Sequence, residues 1–306
     1  MAFNPFVEIQ KLYLKLTDRD AYKRLKHKIY DERFEKKVND QQKVDVKHKY
    51  KNITTFKHSG NSGDIMYALP AIYALSKNGK ARIYLKANER GRYTHFHPFG
   101  NIMLSEKVIM MLKPLLEYQP QIELCDIYHN EQIDYDLDIF RKQVFPLNRG
   151  SIIRWYFHIY SVFYNTSQKW LDAPGNPEYA GYIVVARSHR HRSPGIKYNF
   201  LSKFKKIAFV GLPVEHEDMQ KQIPHIKHLH VNDFLEMASI IKSCKLFIGN
   251  QTFAFSLAEG LKTNRLLEVY YDAPNVIVEG EGAHDFIFQE QFENAVEDLK
   301  EKLNLE

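Results

Sequence analysis

Twice in this chain an apolar run short enough for a strand breaks into a polar turn and passes directly into a helical pattern. The first junction is ITTFKHSG, then Asn61, Ser62, Gly63 and Asp64, then IMYALPAIYAL; in the second, an apolar run reaches Gly249, Asn250, Gln251 and Thr252 and continues as FAFSLAEGL. Strands that alternate with helices are joined by right-handed crossovers, so the repetition implies parallel sheets. Such a turn also presents the first backbone N–H groups of a helix, with amide side chains beside them, where a phosphate or a sugar can sit. One junction falls in each half of the chain.

The remaining pattern extends this alternation. The spacing predicts strands over 53–59, 81–87, 122–128 and 135–140, and helices over 64–77, 104–117 and 151–165. Two prolines and a glycine in LDAPGNPEY, at 171–179, interrupt the alternation and mark a linker. Strands are then expected over 182–187, 207–211, 227–231, 245–249 and 265–270, with helices over 232–243 and 253–262. The closing QEQFENAVEDLKEKLNL reads as an amphipathic helix able to pack over either half. The expected fold is α/β, with two facing Rossmann-like domains built on parallel sheets. Its parts are an amphipathic helical arm over 1–50, domains over 51–175 and 176–290, and a C-terminal helix over 291–306. At 306 residues and 44% hydrophobic content, the chain is long enough for two medium cores.

Charge and composition narrow the partners. A net charge of +6 and a pI near 9.0 favour anionic ligands, but the excess is too small to indicate nucleic acid. In the arm, Phe6, Ile9, Leu12, Tyr13 and Leu16 are spaced for one helical face. Such a helix either packs on the first domain or lies on a membrane surface or a partner. No apolar run approaches the roughly 18 residues a membrane span needs, and MAFNPFVEIQKL lacks a signal-peptide core, so a cytoplasmic protein is expected, free or peripheral to the inner face of a membrane. Cys125 and Cys244 stand in apolar surroundings and read as buried thiols rather than a disulfide or metal ligands.

Several side chains carry chemistry. Glycines at 60 and 63 allow a tight turn and close approach of a ligand, and Asp64 then lands at the start of a helix, at the strand end where open parallel sheets bind ligands. It is either a group that acts on a ligand or a carboxylate that complements the helix dipole. The turn is neither a dinucleotide fingerprint nor a P-loop, because GNSGD has neither spacing. In the second half a strand ends in Arg187, Ser188, His189, Arg190, His191 and Arg192; the guanidinium forks of Arg187 and Arg190 suit a diphosphate, with a solvated basic loop as the alternative. Glu259, in a largely apolar helix, must be paired, with Lys262 or Arg265, or aimed at a ligand's hydroxyls. Asp134, Asp136 and Asp138 form an alternating acidic set that resembles a cation site but lies away from the expected donor turn, and His189 and His191 lack further ligands at metal spacing, so no metal is assigned.

The run S-G-D-I-x-x-A-L-P-A-I-x-A-L, beginning at Ser62, resembles the N-terminal signature of the ADP-heptose:lipopolysaccharide heptosyltransferase family, and FIGNQTFAFSLAEGLKTNRLLEVY resembles its second signature. The resemblance implies the GT-B fold, with Asp64 as general base and the later turn lining the donor sugar. It also implies a glutamate after the strand ending in FVGLP that contacts the nucleotide ribose, either Glu215 or Glu217. The family commonly has an Asp-Thr/Ser-Gly turn and a helical His where this chain has Gln251, Thr252, Phe253 and Ser256, so heptose itself is not carried over.

The expected activity is an inverting, metal-independent glycosyltransferase that uses no resident cofactor and moves a sugar from a nucleotide-diphosphate donor to a hydroxyl of a glycan or glycolipid acceptor. Donor contacts are expected from Arg187, Ser188, Arg190, Glu215, Glu217, Gly249, Asn250, Gln251, Thr252 and Glu259. Acceptor contacts are expected from His58, Asn61, Ser62, Gly63, Asp138 and Arg141. A nucleotide-sugar epimerase-like enzyme and a non-catalytic nucleotide-sugar-binding protein are the alternatives.

Overall fold

Every ladder between the named strands of the computed structural model is parallel. The structure describes residues 5–40, 44, 51–91 and 100–306, so the parts of the expected arm at 1–4, 41–43 and 45–50 lie outside the described residues. Two compact units emerge, one of residues 1–43 with 141–146 and one of residues 44–140 with 147–306.

The first unit holds helices α1 (Pro5–Thr17) and α2 (Arg19–Asp40). Asp18 separates them, and its carboxylate accepts the N–H groups of Asp20 (3.1 Å) and Ala21 (2.9 Å), satisfying donors that a helix start leaves open. Neither helix contains a buried residue.

The second unit holds both sheets. Strands β1 (Ile53–His58), β2 (Lys80–Leu85), β3 (Ile122–Ile127) and β4 (Tyr135–Asp136) form the first, in the order β3-β2-β1-β4. Helix α3 (Ser62–Leu75) follows β1, α4 (Glu106–Glu117) precedes β3, and α5 (Ile152–Tyr160) comes after β4. The strand expected over 135–140 is only two residues long, because the chain turns into a 3-10 helix at Leu137–Lys142. The cause is local: the Asp136 carboxylate accepts the N–H of Asp138 (3.1 Å), offering the backbone a turn in place of a ladder.

The other sheet contains β5 (Ile183–Ala186), β6 (Ile207–Val210), β7 (Lys227–Leu229), β8 (Leu246–Asn250), β9 (Arg265–Glu268) and β10 (Ala283–Phe286), in the order β10-β9-β8-β5-β6-β7. Its helices are α6 (Pro213–Gln220), α7 (Phe234–Ser243), α8 (Phe253–Leu261) and α9 (Gln289–Leu303). Both sheets reverse direction beside their first strand, between β1 and β4 and between β5 and β8. Ligands of open parallel sheets bind outside the strand ends at such a reversal.

Packing follows from hydrophobic patterning. From Ile65 to Tyr73, α3 is buried on every side, as expected of a helix apolar all round. One apolar core runs from Phe56 and Ile83 of the first sheet, through α3, α4, α7 and α8, to Val184, Phe247 and Leu267 of the second. Another lies on the far face of the second sheet, where α9 contributes Phe292, Val296 and Leu299. The C-terminal helix thus packs on the second sheet. Cys125 and Cys244 are free and buried, and burial pushes both thiols up to about 12. Among the described residues no helix is long and apolar enough to cross a membrane.

Candidate functional site

The two strand-to-helix junctions meet. A Cβ on Gly63, in the first turn of α3, would lie 3.9 Å from the Cα of Phe253, the first residue of α8, so the two turns approach to van der Waals distance. Their strands, β1 and β8, flank the reversal in each sheet.

On the α3 side the turn is held from below. His58 ends β1 fully buried; its Nδ1 accepts the N–H of Gly60 (2.8 Å) and its Nε2 lies 2.7 Å from the Tyr156 hydroxyl. Both ring nitrogens are engaged, so His58 shapes the turn and does not fit the expected acceptor contact. Asp138 likewise accepts the backbone N–H of Ser59 (2.9 Å) and lies 3.7 Å from Lys57. Its carboxylate supports the turn from beneath.

The other two aspartates of that set repeat this role along β1. Asp134 accepts the N–H and hydroxyl of Thr55 (3.0 Å each) and pairs with Lys51, while Asp136 pairs with Lys57 at 2.8 Å. Burial pushes the Asp134 carboxyl up, but the hydrogen bonds from Lys51 and Thr55 outweigh it and hold it below its ordinary value. Above this support Asn61, Ser62, Gly63 and Asp64 are half-buried at the start of α3. Arg141 belongs to the unit that contains the arm.

On the α8 side most of the expected donor contacts build the site instead of facing a ligand. Asn250, fully buried, accepts the N–H of Ser188 (3.1 Å) and donates to the carbonyls of Ser188 (3.0 Å), Arg190 (2.8 Å) and His191 (3.0 Å). It therefore clamps the loop that follows β5. Gln251 donates to Ala273 O (2.8 Å) and Asn275 Oδ1 (2.7 Å) and accepts the N–H of Tyr270 (2.7 Å). Thr252 caps α8 through the N–H of Phe255 (3.1 Å). Gly249 carries no side chain for a steric reason: a Cβ there would stand 2.6 Å from Ala186 O on β5.

Arg187 corrects the expectation of a diphosphate clamp. It is 3% exposed, and its fork meets Glu268 through Nε (2.6 Å) and Nη2 (2.9 Å), with Nη2 also reaching Ile196 O (3.2 Å). The cation is already neutralised inside the sheet. Glu259 is corrected in the same way: it pairs with Lys262 (2.5 Å) and with Arg265, both local partners, and is 1% exposed. Glu215 turns back on its own helix, accepting the N–H of Leu212 (3.1 Å), and burial raises its carboxyl, while Glu217 lies exposed on α6. Ser188 is half-buried and Arg190 exposed, both on the clamped loop; Arg192 is paired with Asp218.

Sequence reasoning weighed His191 only as a metal ligand. In the structure it adopts a left-handed backbone (φ 55°), stacks on Tyr270 (5.6 Å between centroids, 14° between planes), and buries Nδ1 without a partner. Burial first, and the neighbouring Arg190 charge second, lower its pKa to about 4, against smaller upward pulls from the Gln251 backbone and then Asp64. The imidazole is therefore neutral at neutral pH. The signal was the strand end itself, where a histidine three residues past Ser188 follows the end of β5.

A separate cavity of about 350 Å³, lined by Lys169, Lys242, Lys262 and Asn264 among others, lies near the start of β9, at the opposite end of the second sheet. Its lysines are committed to Asp172 and Glu259.

Comparison with solved structures places this fold. The crystal structure of a glycosyl transferase family 9 protein from Veillonella parvula matches with a TM-score of 0.53 at 13% identity, covering 86% of this chain and 100% of that one. The E. coli ADP-heptose lipopolysaccharide heptosyltransferase II matches at 0.55 and 11% identity, over 82% and 99% of the two chains. The E. coli heptosyltransferase WaaC, solved with ADP, matches at 0.52 and 10% identity, over 81% and 99%. No family model matches the sequence, and no curated protein does. The two facing parallel-sheet halves are the GT-B arrangement of these heptosyltransferases.

Proposed function

We propose that the chain is an inverting glycosyltransferase that takes a nucleotide-diphosphate sugar as donor and a hydroxyl of a glycan or glycolipid as acceptor. The observation that carries the reading is the meeting of two strand-to-helix turns at the reversals of two parallel sheets, with Asp64 on one and the α8 start on the other. Support comes from the fold, shared with a glycosyl transferase family 9 protein and with heptosyltransferases, one of them solved with ADP.

In this reading Asp64 accepts the proton of the attacking hydroxyl as the new bond forms at the anomeric carbon. Negative charge grows on the departing diphosphate. It is met by the N–H groups of Phe253 and Ala254, which as the first residues of α8 have no carbonyl partner a turn earlier, and by the loop bearing Ser188 and Arg190. The sheet positions these groups through Asn250, Gln251 and Thr252, so the polar turn acts as scaffold for the backbone donors. The reading assigns no metal, since Asp134, Asp136 and Asp138 are spent on β1 and its lysines. No resident cofactor is assigned either; the donor is a co-substrate.

The test is nucleoside diphosphate release from ADP-, GDP- and UDP-sugars, with CMP release from CMP-sugars as the contrast, with and without candidate acceptors. Release that needs both partners supports transfer; isomerised donor without an acceptor would indicate an epimerase, and binding without turnover a binding protein. Asp64→Asn should lower turnover by about 10²–10⁴-fold while leaving the melting temperature and donor affinity near those of the parent. Full activity in that variant removes Asp64 as the base.

A further inference from the structure

The two helices of the first unit leave one apolar face of α1 exposed. On α1, Val7, Lys11 and Leu14 are half-covered, as are Ala21, Tyr22, Leu25 and Ile29 on the adjoining α2. The opposite side of α1 carries Phe6, Ile9, Leu12, Tyr13 and Leu16, exposed by between 61% (Leu12) and 80% (Phe6). At 100° per residue these five positions form a stripe about 120° wide, pointing away from the half-covered set. The following half-helix is basic, with Arg19, Lys23, Arg24, Lys26 and Lys28 set against Asp20 alone.

We propose that the outer face of α1 docks on an anionic lipid bilayer, with the cations at the start of α2 held by the headgroups. A 13-residue helix is about 20 Å long, so its stripe offers a few hundred Å², well short of the roughly 800 Å² a side of a stable protein interface. A bilayer demands no shape complementarity, and it rewards this combination: an apolar face, low net hydrophobicity and neighbouring cations. The proposal does not depend on the enzymatic reading, because vesicle binding is measured without turnover.

The full chain should co-sediment with vesicles of phosphatidylglycerol and phosphatidylcholine, and much less with phosphatidylcholine alone or at high salt. Leu12→Glu combined with Leu16→Glu should lower partitioning more than about tenfold. Lys23→Glu combined with Lys26→Glu should lower it on anionic vesicles only, by about fivefold per lost cation. Both pairs of positions are exposed, so the variants should keep the parent's unfolding midpoint. Parent-like vesicle binding by either double variant overturns the proposal. So does a parent that ignores vesicles but forms a dimer the leucine variant disperses, which would assign the face to a second copy. A clear drop in unfolding midpoint for the leucine variant also overturns it, because the stripe would then be packed within the chain.

Discussion

Glu268 occupies the interior of the second sheet with both oxygens fully used. Oε1 accepts from Arg187 Nη2 (2.9 Å) and the Ser193 N–H (2.7 Å), and Oε2 accepts from Arg187 Nε (2.6 Å) and the Tyr198 hydroxyl (2.9 Å). Replacing Glu268 with glutamine leaves the Arg187 cation buried without a counter-charge, which costs about 3–5 kcal/mol. Urea denaturation of Glu268→Gln should show that loss as a lower midpoint, and a midpoint within error of the parent would remove the pair from the structural core. The same pair explains what local reading could and could not see. For Glu259 the pairing was one of two readings open in the sequence, because Lys262 and Arg265 stand three and six residues away, although the side chain was assigned to the donor. Arg187 was read as a ligand clamp because its partner lies 81 residues on, brought close only by β5 and β9 flanking β8. Asn250 is similar: a buried amide facing three carbonyls looks, in sequence, the same as one facing a phosphate.

Helix α8 links the site to the segment that enters the second sheet. Gly260 accepts the N–H groups of both Trp170 and Leu171 (3.1 Å each), and a Cβ there would stand 2.9 Å from Leu171 Cβ and 3.2 Å from Trp170 Nε1. Alanine would gain up to about 1 kcal/mol of helix propensity but lose about 1–3 kcal/mol to overpacking. The contact is with a rigid neighbour, so Gly260→Ala should be destabilising on balance, seen as a lower melting temperature; a higher one would mean the segment yields freely. Elements with strong patterns were readable: both junctions, the strands that flank them and α7 stand within a few residues of the expected positions. Those set by side chain to backbone bonds were not. The 135–140 strand gave way to an aspartate turn, and α6 begins at Pro213, with the Glu215 carboxylate accepting the N–H of Leu212. The polar strand AHDF of β10 carries no alternation that would reveal it.

The two sheets share a core, and that governs how the molecule should come apart. Helix α3 packs on α8 and α4 on α7, so separating the halves would expose Ile65, Leu69 and Phe255, all fully buried. At about 25 cal/mol per Å² such exposure is costly for each side chain, and independent melting of the sheets is disfavoured. Chemical denaturation should therefore show one transition for both sheets, with far-UV circular dichroism coinciding with the fluorescence of Trp155 and Trp170. Two separated steps would mean that the shared core is not what joins them. A ligand seated on both turns binds only while they meet, so a nucleotide-diphosphate sugar should displace that single transition as a whole. At a hundredfold excess over its dissociation constant the gain is about 2.7 kcal/mol. If the ligand instead split the transition, protecting the second sheet while the first melted at its original midpoint, donor binding would involve the α8 turn alone and the facing Asp64 turn would have no part in holding it.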